Sequence, residues 1–176
     1  MRILPILVLS SLVSLSGCAT AFKNAQPSYK VVASSAEAQP RWIDAKASED
    51  ARYKFFVGRT DVAADLSSGE AQAESQVRSF IRGEIREQLR REFEASLGAS
   101  LPGKREVLDR ALTASLGELE LEGLAPVERY WERLEVPVDD GLRYAYRLAL
   151  RLRIPKDHYE ATRVRAQRTV ASQIGL

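Results

Sequence analysis

The sequence predicts an α+β fold: a small antiparallel sheet of about three strands with helices packed on one face, in the order β-α-α-β-β-α. Three observations carry that expectation. Residues 142–154 alternate without a break: Leu142, Tyr144, Tyr146, Leu148, Leu150, Leu152 and Ile154 share one parity, and Arg143, Ala145, Arg147, Ala149, Arg151 and Arg153 the other. This is the period of a strand with one buried face. Between residues 70 and 97, Ala73, Val77, Ile81, Ile85, Leu89, Phe93 and Leu97 recur every four residues, with Phe80 alongside, which is a helical stripe. Residues 53–60 carry Tyr53, Phe55, Phe56 and Val57 before Gly58, a second strand pattern.

The remaining elements follow in order. Tyr29-Lys30-Val31-Val32 is compatible with a short strand, and Pro40-Arg41-Trp42-Ile43 is the first aromatic anchor, where the folded part is expected to open. Ser67 stands three residues before Glu70, the spacing of a capping box at the start of the long helix. A four-residue step turns 400°, so the stripe drifts by about 40° per step on an ideal helix. One flat sheet cannot cover all of it. Either the helix bends or breaks, with Gly83 as the weak point, or its two ends meet different neighbours, of which another subunit is one option. Residues 98–103, with Pro102 between two glycines, end the helix. Residues 105–116 predict a second helix on Val107, Leu108, Ala111, Leu112 and Leu116. Residues 127–136, with Tyr130 and Trp131, predict a strand, and Asp139-Asp140-Gly141 a turn. Pro155 stops the last strand, and residues 156–174 predict a final helix with Tyr159, Val164, Val170 and Ile174 buried.

The N-terminal end is of another kind. Arg2 is the only charged residue before Cys18, and residues 3–13 are apolar apart from Pro5 and two serines. That length suits the apolar region of an export signal and falls short of the roughly 20 residues of a membrane span. Cys18 is the only cysteine, and it closes the run Leu15-Ser16-Gly17-Cys18. The tetrapeptide resembles the lipobox of bacterial lipoproteins. The resemblance implies a diacylglycerol thioether on Cys18, cleavage before it, and acylation of the new amine. It implies no other cofactor. In that class an aspartate after the cysteine marks inner-membrane retention, so Ala19 favours the outer membrane. Two or more acyl chains hold durably where one does not.

The expected organisation is therefore a signal peptide over 1–17, a lipidated flexible tether over 18–39 and a single α+β domain over 40–176. Residues 19–39, rich in Ala, Ser and Gln, show little apolar period. The mature chain of about 159 residues is long enough for one domain with a real core. Without Arg2, the full chain's 26 basic residues become 25 against 24 acidic, which gives no general pull toward nucleic acid. A lone cysteine excludes an internal disulfide or a cysteine metal site.

No sequence pattern of a nucleophile elbow, phosphate loop or zinc-protease helix is present. His158 is the only histidine and reads as a surface residue. The expectation is a protein that is not an enzyme. Two arginine rows stand out instead: Arg78, Arg82, Arg86 and Arg90 at four-residue spacing on the long helix, and Arg143, Arg147 and Arg151 on one parity of the last strand. As structure, they are a solvated helix face, with Glu74 beside Arg78, and a charged strand face that Glu128, Glu132 or Glu135 would meet across a strand pair. As function, they are a surface for an anionic envelope ligand, cell wall or lipid headgroup, or for a partner protein. The aromatics on the strands read as core, with an open-face subset suited to an interface.

Pro40-x-Trp42-Ile43, Tyr53-Lys54-Phe55-Phe56-Val57-Gly58, Glu70-Ala71-x-Ala73, Val127-x-Arg129-Tyr130-Trp131-Glu132, Arg143-Tyr144-x-Tyr146-Arg147 and Ile154-Pro155-Lys156 together resemble the small bacterial lipoprotein family typified by the 20-kilodalton outer-membrane lipoprotein. Flagellar lipoproteins that build disks and rings at the outer membrane are relatives in that family. The likeness covers roughly residues 40–160, although the long helix here carries more Arg and Glu and less Ala. It implies a scaffold or assembly role in the envelope, with self-association or envelope-protein partners, and supplies no catalytic residues.

Overall fold

The computed structural model describes residues 29–98, 101–117 and 119–176. Cys18, the expected signal peptide and the first part of the expected tether lie outside them. The fold is α+β, built on one antiparallel sheet of five strands. The strands are β1 (Lys30–Ser34), β2 (Ala47–Glu49), β3 (Tyr53–Ala63), β4 (Ala125–Val138) and β5 (Gly141–Pro155), in spatial order β1-β4-β5-β3-β2. The helices are α1 (Leu66–Leu97), α2 (Leu101–Gly117) and α3 (Lys156–Ile174).

The expectation of about three strands is corrected to five, and the order to β-β-β-α-α-β-β-α. Both extra strands are short edges. β2 is exposed at all three positions, and β1 is exposed or half-buried throughout. With no buried face they carry no hydrophobic period, and backbone pairing alone defines them. β1 also moves the start of the fold to Lys30, ahead of Pro40, so the sheet takes in part of the expected tether. Ser35 extends the seam: its N–H donates to the Trp131 carbonyl at 2.9 Å, and its hydroxyl accepts from Trp131 N at 3.0 Å.

β5 lies at the centre, between β4 and β3. Leu148, Leu150 and Leu152 stand opposite Thr60, Gly58 and Phe56 and face the helices. β3 runs through Gly58 instead of ending there. A Cβ on Gly58 would lie 2.0 Å from the Ala73 carbonyl oxygen, so α1 can rest directly on the strand only over a glycine. Thr60 Oγ1 donates to the Gly69 carbonyl at 2.9 Å one turn earlier on α1. β4 and β5 are joined at Asp139-Asp140, with Val138 opposite Gly141, the two-residue hairpin that the turn signal predicts.

α1 is a single helix of 32 residues with no break at Gly83. Its cap lies elsewhere than the Ser67–Glu70 spacing implies. Asp65 is the N-cap: its carboxylate accepts from Ser68 N at 2.8 Å, and Ser68 Oγ accepts from Asp65 N at 3.4 Å. Glu70 meets Arg129 of β4 instead. Every member of the four-residue stripe is buried. The drift is accommodated by a change of neighbour within the chain. Residues 69–81 of α1 lie on the sheet, where Phe56 and Phe80 pack with ring centroids 5.9 Å apart. Residues 85–97 run on against α2 and α3, with Leu89, Phe93, Leu108, Leu112, Val170 and Ile174 in the same core. No second subunit is needed to bury the stripe.

These three segments form a small helical bundle off one end of the sheet. α2 runs antiparallel to α1, since Arg90 pairs with Asp109 and Arg82 with the later Leu119. α3 leaves β5 directly at Pro155 and runs alongside α1, through Tyr159–Glu84 and Arg163–Glu92 contacts. It buries Tyr159, Thr162, Ala166, Val170 and Ile174. Val164, expected inside, is only half-buried, and Thr162 and Ala166 occupy the inner positions instead. On the opposite face of the sheet, a 3-10 turn (Arg41–Asp44) lays Ile43 and Trp42 onto Tyr130 and Ala149 as a second, small cluster.

Candidate functional site

The face of the sheet turned away from the helices carries the strand-borne arginines. Strand parity puts Tyr53, Phe55, Val57 and Arg59 of β3 there, with Arg147, Ala149, Arg151 and Arg153 of β5 and Glu128, Tyr130 and Glu132 of β4. Two carboxylates fall directly opposite arginines. Glu132 pairs with Arg147 at 2.9 Å, and Glu128 with Arg151. Glu135 instead stands across from Tyr144 and pairs with Lys30 of β1 at 3.7 Å. The guanidinium of Arg151 lies 4.3 Å from the Phe55 ring centre, and that of Arg153 4.6 Å from Tyr53. The arginine stems thus roof half-buried aromatics while their heads stay near water.

Arg59 was not singled out by the sequence, although its parity with Tyr53 and Phe55 was the available signal. Its guanidinium donates to the Ile43 carbonyl and reaches Asp44 at 3.5 Å, which ties the 3-10 turn to the sheet. Arg59, Asp61, Ile43, Tyr130, Glu132 and Arg147 line a cleft of about 90 Å³. Its Tyr130 hydroxyl donates to Glu132 at 2.9 Å. Burial first, and then that bond to a carboxylate, push the phenol above its ordinary range. The cleft is far below the roughly 300–1,000 Å³ of a typical metabolite site, and its arginines already have partners. A wider groove of about 440 Å³ flanks β3 beside β2, lined by Asp44, Lys46, Val57, Arg59, Gln76 and Phe80. There Gln76 Oε1 accepts from the Arg59 backbone N–H at 2.7 Å, so a side chain covers the strand edge where β2 has ended.

The helix-borne row is a seam between α1 and α2. Arg78 is held within the helix, with two bonds of 3.0 and 2.6 Å to Glu74. Arg82 donates to the Leu119 carbonyl at 3.0 Å, Arg86 to Thr113 Oγ1 at 3.3 Å, and Arg90 pairs with Asp109 at 2.9 Å. The solvated-face reading holds for Arg78, and the other three face α2 and its continuation. Of the strand row, Arg143 lies apart from Arg147 and Arg151, exposed near the β4–β5 turn opposite Val136. The structure therefore does not bring the two rows together into one basic surface.

His158 is exposed on the first turn of α3, and its ring stands against Gly123. Gly123 has φ +77°, and a Cβ there would lie 2.8 Å from His158 Nδ1. A glycine at position 123 thus leaves room for the His158 ring at the start of α3. Among the described residues, no group of three or more His, Cys, Asp or Glu is placed to hold a metal ion. No described helix is long and apolar enough to cross a membrane. The chain matches no protein-family model, no curated protein and no solved structure.

Proposed function

We propose that the chain is a lipid-anchored protein of a bacterial envelope, held at the periplasmic face of the outer membrane, where its domain serves as a scaffold or assembly subunit. The observation that carries the proposal is the run Leu15-Ser16-Gly17-Cys18 at the end of a short apolar stretch, in a chain with no other thiol. A thiol is the side chain best suited to forming a thioether, and glycine and serine before it leave the backbone open to a peptidase. The likeness of the strand motifs over residues 40–160 to envelope lipoproteins supports the same reading.

The test is expression in a Gram-negative host with an alkyne-tagged fatty acid. The expected result is tag on the protein in the outer-membrane fraction, with a Cys18→Ser variant untagged, soluble and folded. A Cys18→Ser variant that stays in the membrane, or a wild type without tag, would overturn the anchor. Sedimentation of the lipid-free domain at high concentration and cross-linking in the envelope test the scaffold role. A strictly monomeric domain that cross-links to nothing would overturn it.

A further inference from the structure

The two ends of the sheet differ in what the N-terminal chain can reach. β1 joins the sheet with Lys30 opposite Glu135, and Glu135 is opposite Tyr144. From that level, the β4–β5 turn at Gly141 is three strand positions away, about 10 Å. The Pro155 end of β5 is eleven positions away in the other direction, about 36 Å. Twelve residue steps separate Cys18 from Lys30, at most about 40 Å of fully extended chain. A chain rooted in a bilayer at Cys18 can thus set the turn end on the surface with slack to spare. To set the Pro155 end there, it would have to lie drawn out along nearly the whole sheet, at the cost of its conformational freedom.

The chemistry of the turn end fits the same surface. Leu142 is 61% exposed, Tyr144 55% and Val31 47%, which puts three large exposed apolar residues at this end of the sheet. Tyrosine is favoured at the headgroup level of a bilayer, and long cationic side chains bridge apolar and wet layers. The Arg133 guanidinium lies 5.0 Å from the Tyr144 ring centre, Lys30 pairs with Glu135 across from Tyr144, and Arg143 follows on the other face of β5. Glu135, Asp139 and Asp140 balance these three cations. The patch therefore has no net pull toward anionic lipid, and what it offers is apolar and aromatic contact.

We infer that the β4–β5 turn end, centred on Leu142 and Tyr144, is a lipid-surface contact on which the domain rests, hairpin down, against the phospholipid headgroups. This rests on the anchor at Cys18 proposed above. It places the helical bundle away from the membrane, free to meet other envelope components.

The test uses the full lipidated chain in phosphatidylethanolamine–phosphatidylcholine vesicles. Lipidation consumes the Cys18 thiol, so a cysteine introduced as Leu142→Cys or Asp157→Cys is the only free thiol and takes a fluorophore. The vesicles carry a nitroxide on the lipid headgroup. The expected result is quenching several-fold stronger at position 142 than at 157, unchanged by salt or added phosphatidylglycerol. Equal quenching at both positions, or stronger quenching at 157, in protein that floats with the vesicles, overturns the inference and leaves the anchor standing. Quenching at 142 that appears only at high protein density assigns the patch to a second copy of the chain and also overturns it. Protein that does not float with the vesicles overturns the anchor and the inference together.

Discussion

One end of the sheet is continued by helices and the other ends bare. At the Pro155 end, β5 runs straight into α3, and residues 85–97 of α1 with α2 complete a bundle whose apolar side chains share one core with the sheet. At the turn end, the β4–β5 hairpin carries Leu142 and Tyr144 into solvent. The same alternating strand supplies both. Leu148, Leu150 and Leu152 have α1 above them, whereas Leu142 and Tyr144 lie past the start of that helix, since α1 makes its first contacts at the level of Thr60 and Leu148. A pattern of residues thus states which face of a strand is apolar, and the helix position decides how far along the strand that face is covered. Burial is deepest where the helices cover the strands, and Leu142 and Tyr144 stand exposed beyond that cover.

The largest test of that contrast is a pair of truncations. Leu89, fully buried where α1 enters the bundle, is expected to lose about 2–5 kcal/mol on Leu89→Ala. Leu142→Ser, at the bare end, should change stability by no more than about 0.5 kcal/mol. Urea unfolding of the lipid-free domain measures both, and similar losses would erase the distinction.

A smaller effect concerns the junction of sheet and bundle. Tyr159 is buried, donates to Glu84 at 2.9 Å, and stands under Lys54, whose Nζ is 4.0 Å from the ring centre. Burial first, and then the bond to Glu84, raise its phenol well above the ordinary 10.0. The folded state therefore holds this proton more tightly than the unfolded one. The resulting stability is complete below pH 10.0 and is lost as pH rises through the raised folded value. Tyr159→Phe should cost about 1.5 kcal/mol near neutrality, the worth of a hydrogen bond to a charged group, and should flatten the alkaline decline. Parallel alkaline melting curves for the two proteins would contradict this assignment.

The smallest expected effect belongs to the open face. Arg147 is about half exposed and bridges to Glu132 across the strands. Arg147→Ala should cost less than about 1 kcal/mol, as exposed pairs do, and a double-mutant cycle with Glu132→Gln measures the coupling. A much larger coupling would mean that the cleft beside Tyr130 is a tightly built site and not a surface seam.

The same contrast governs how far the sequence could be read. Long elements with one buried face were legible through their period: β3, β5, α1 and the stripe from Ala73 to Leu97. That Glu128, Glu132 or Glu135 would meet arginines across the strands was also legible, but the register that selects Glu128 and Glu132 and puts Glu135 across from Tyr144 was not. β2 was not, since it buries no face, and β1 was read only as the short strand compatible with residues 29–32, without its place beside β4. Nor were the partners of Arg82, Arg86 and Arg90, because Leu119, Thr113 and Asp109 meet them only after α2 folds back on α1. The cap of α1 was misplaced because Ser67–Glu70 and Asp65–Ser68 have the same spacing, and only backbone geometry at Asp65 distinguishes them. The candidate anchor, Cys18, is proposed from local residues alone and lies outside the described residues.

The proposed anchor is tested most directly by the chemistry of that cysteine. Mass spectrometry of the protein extracted from membranes should find its N-terminal peptide beginning at Cys18, with a diacylglycerol on sulfur and an acyl group on the new amine, and with residues 1–17 gone. An N-terminal peptide that retains residues 1–17, or a Cys18 with a free thiol, would contradict it.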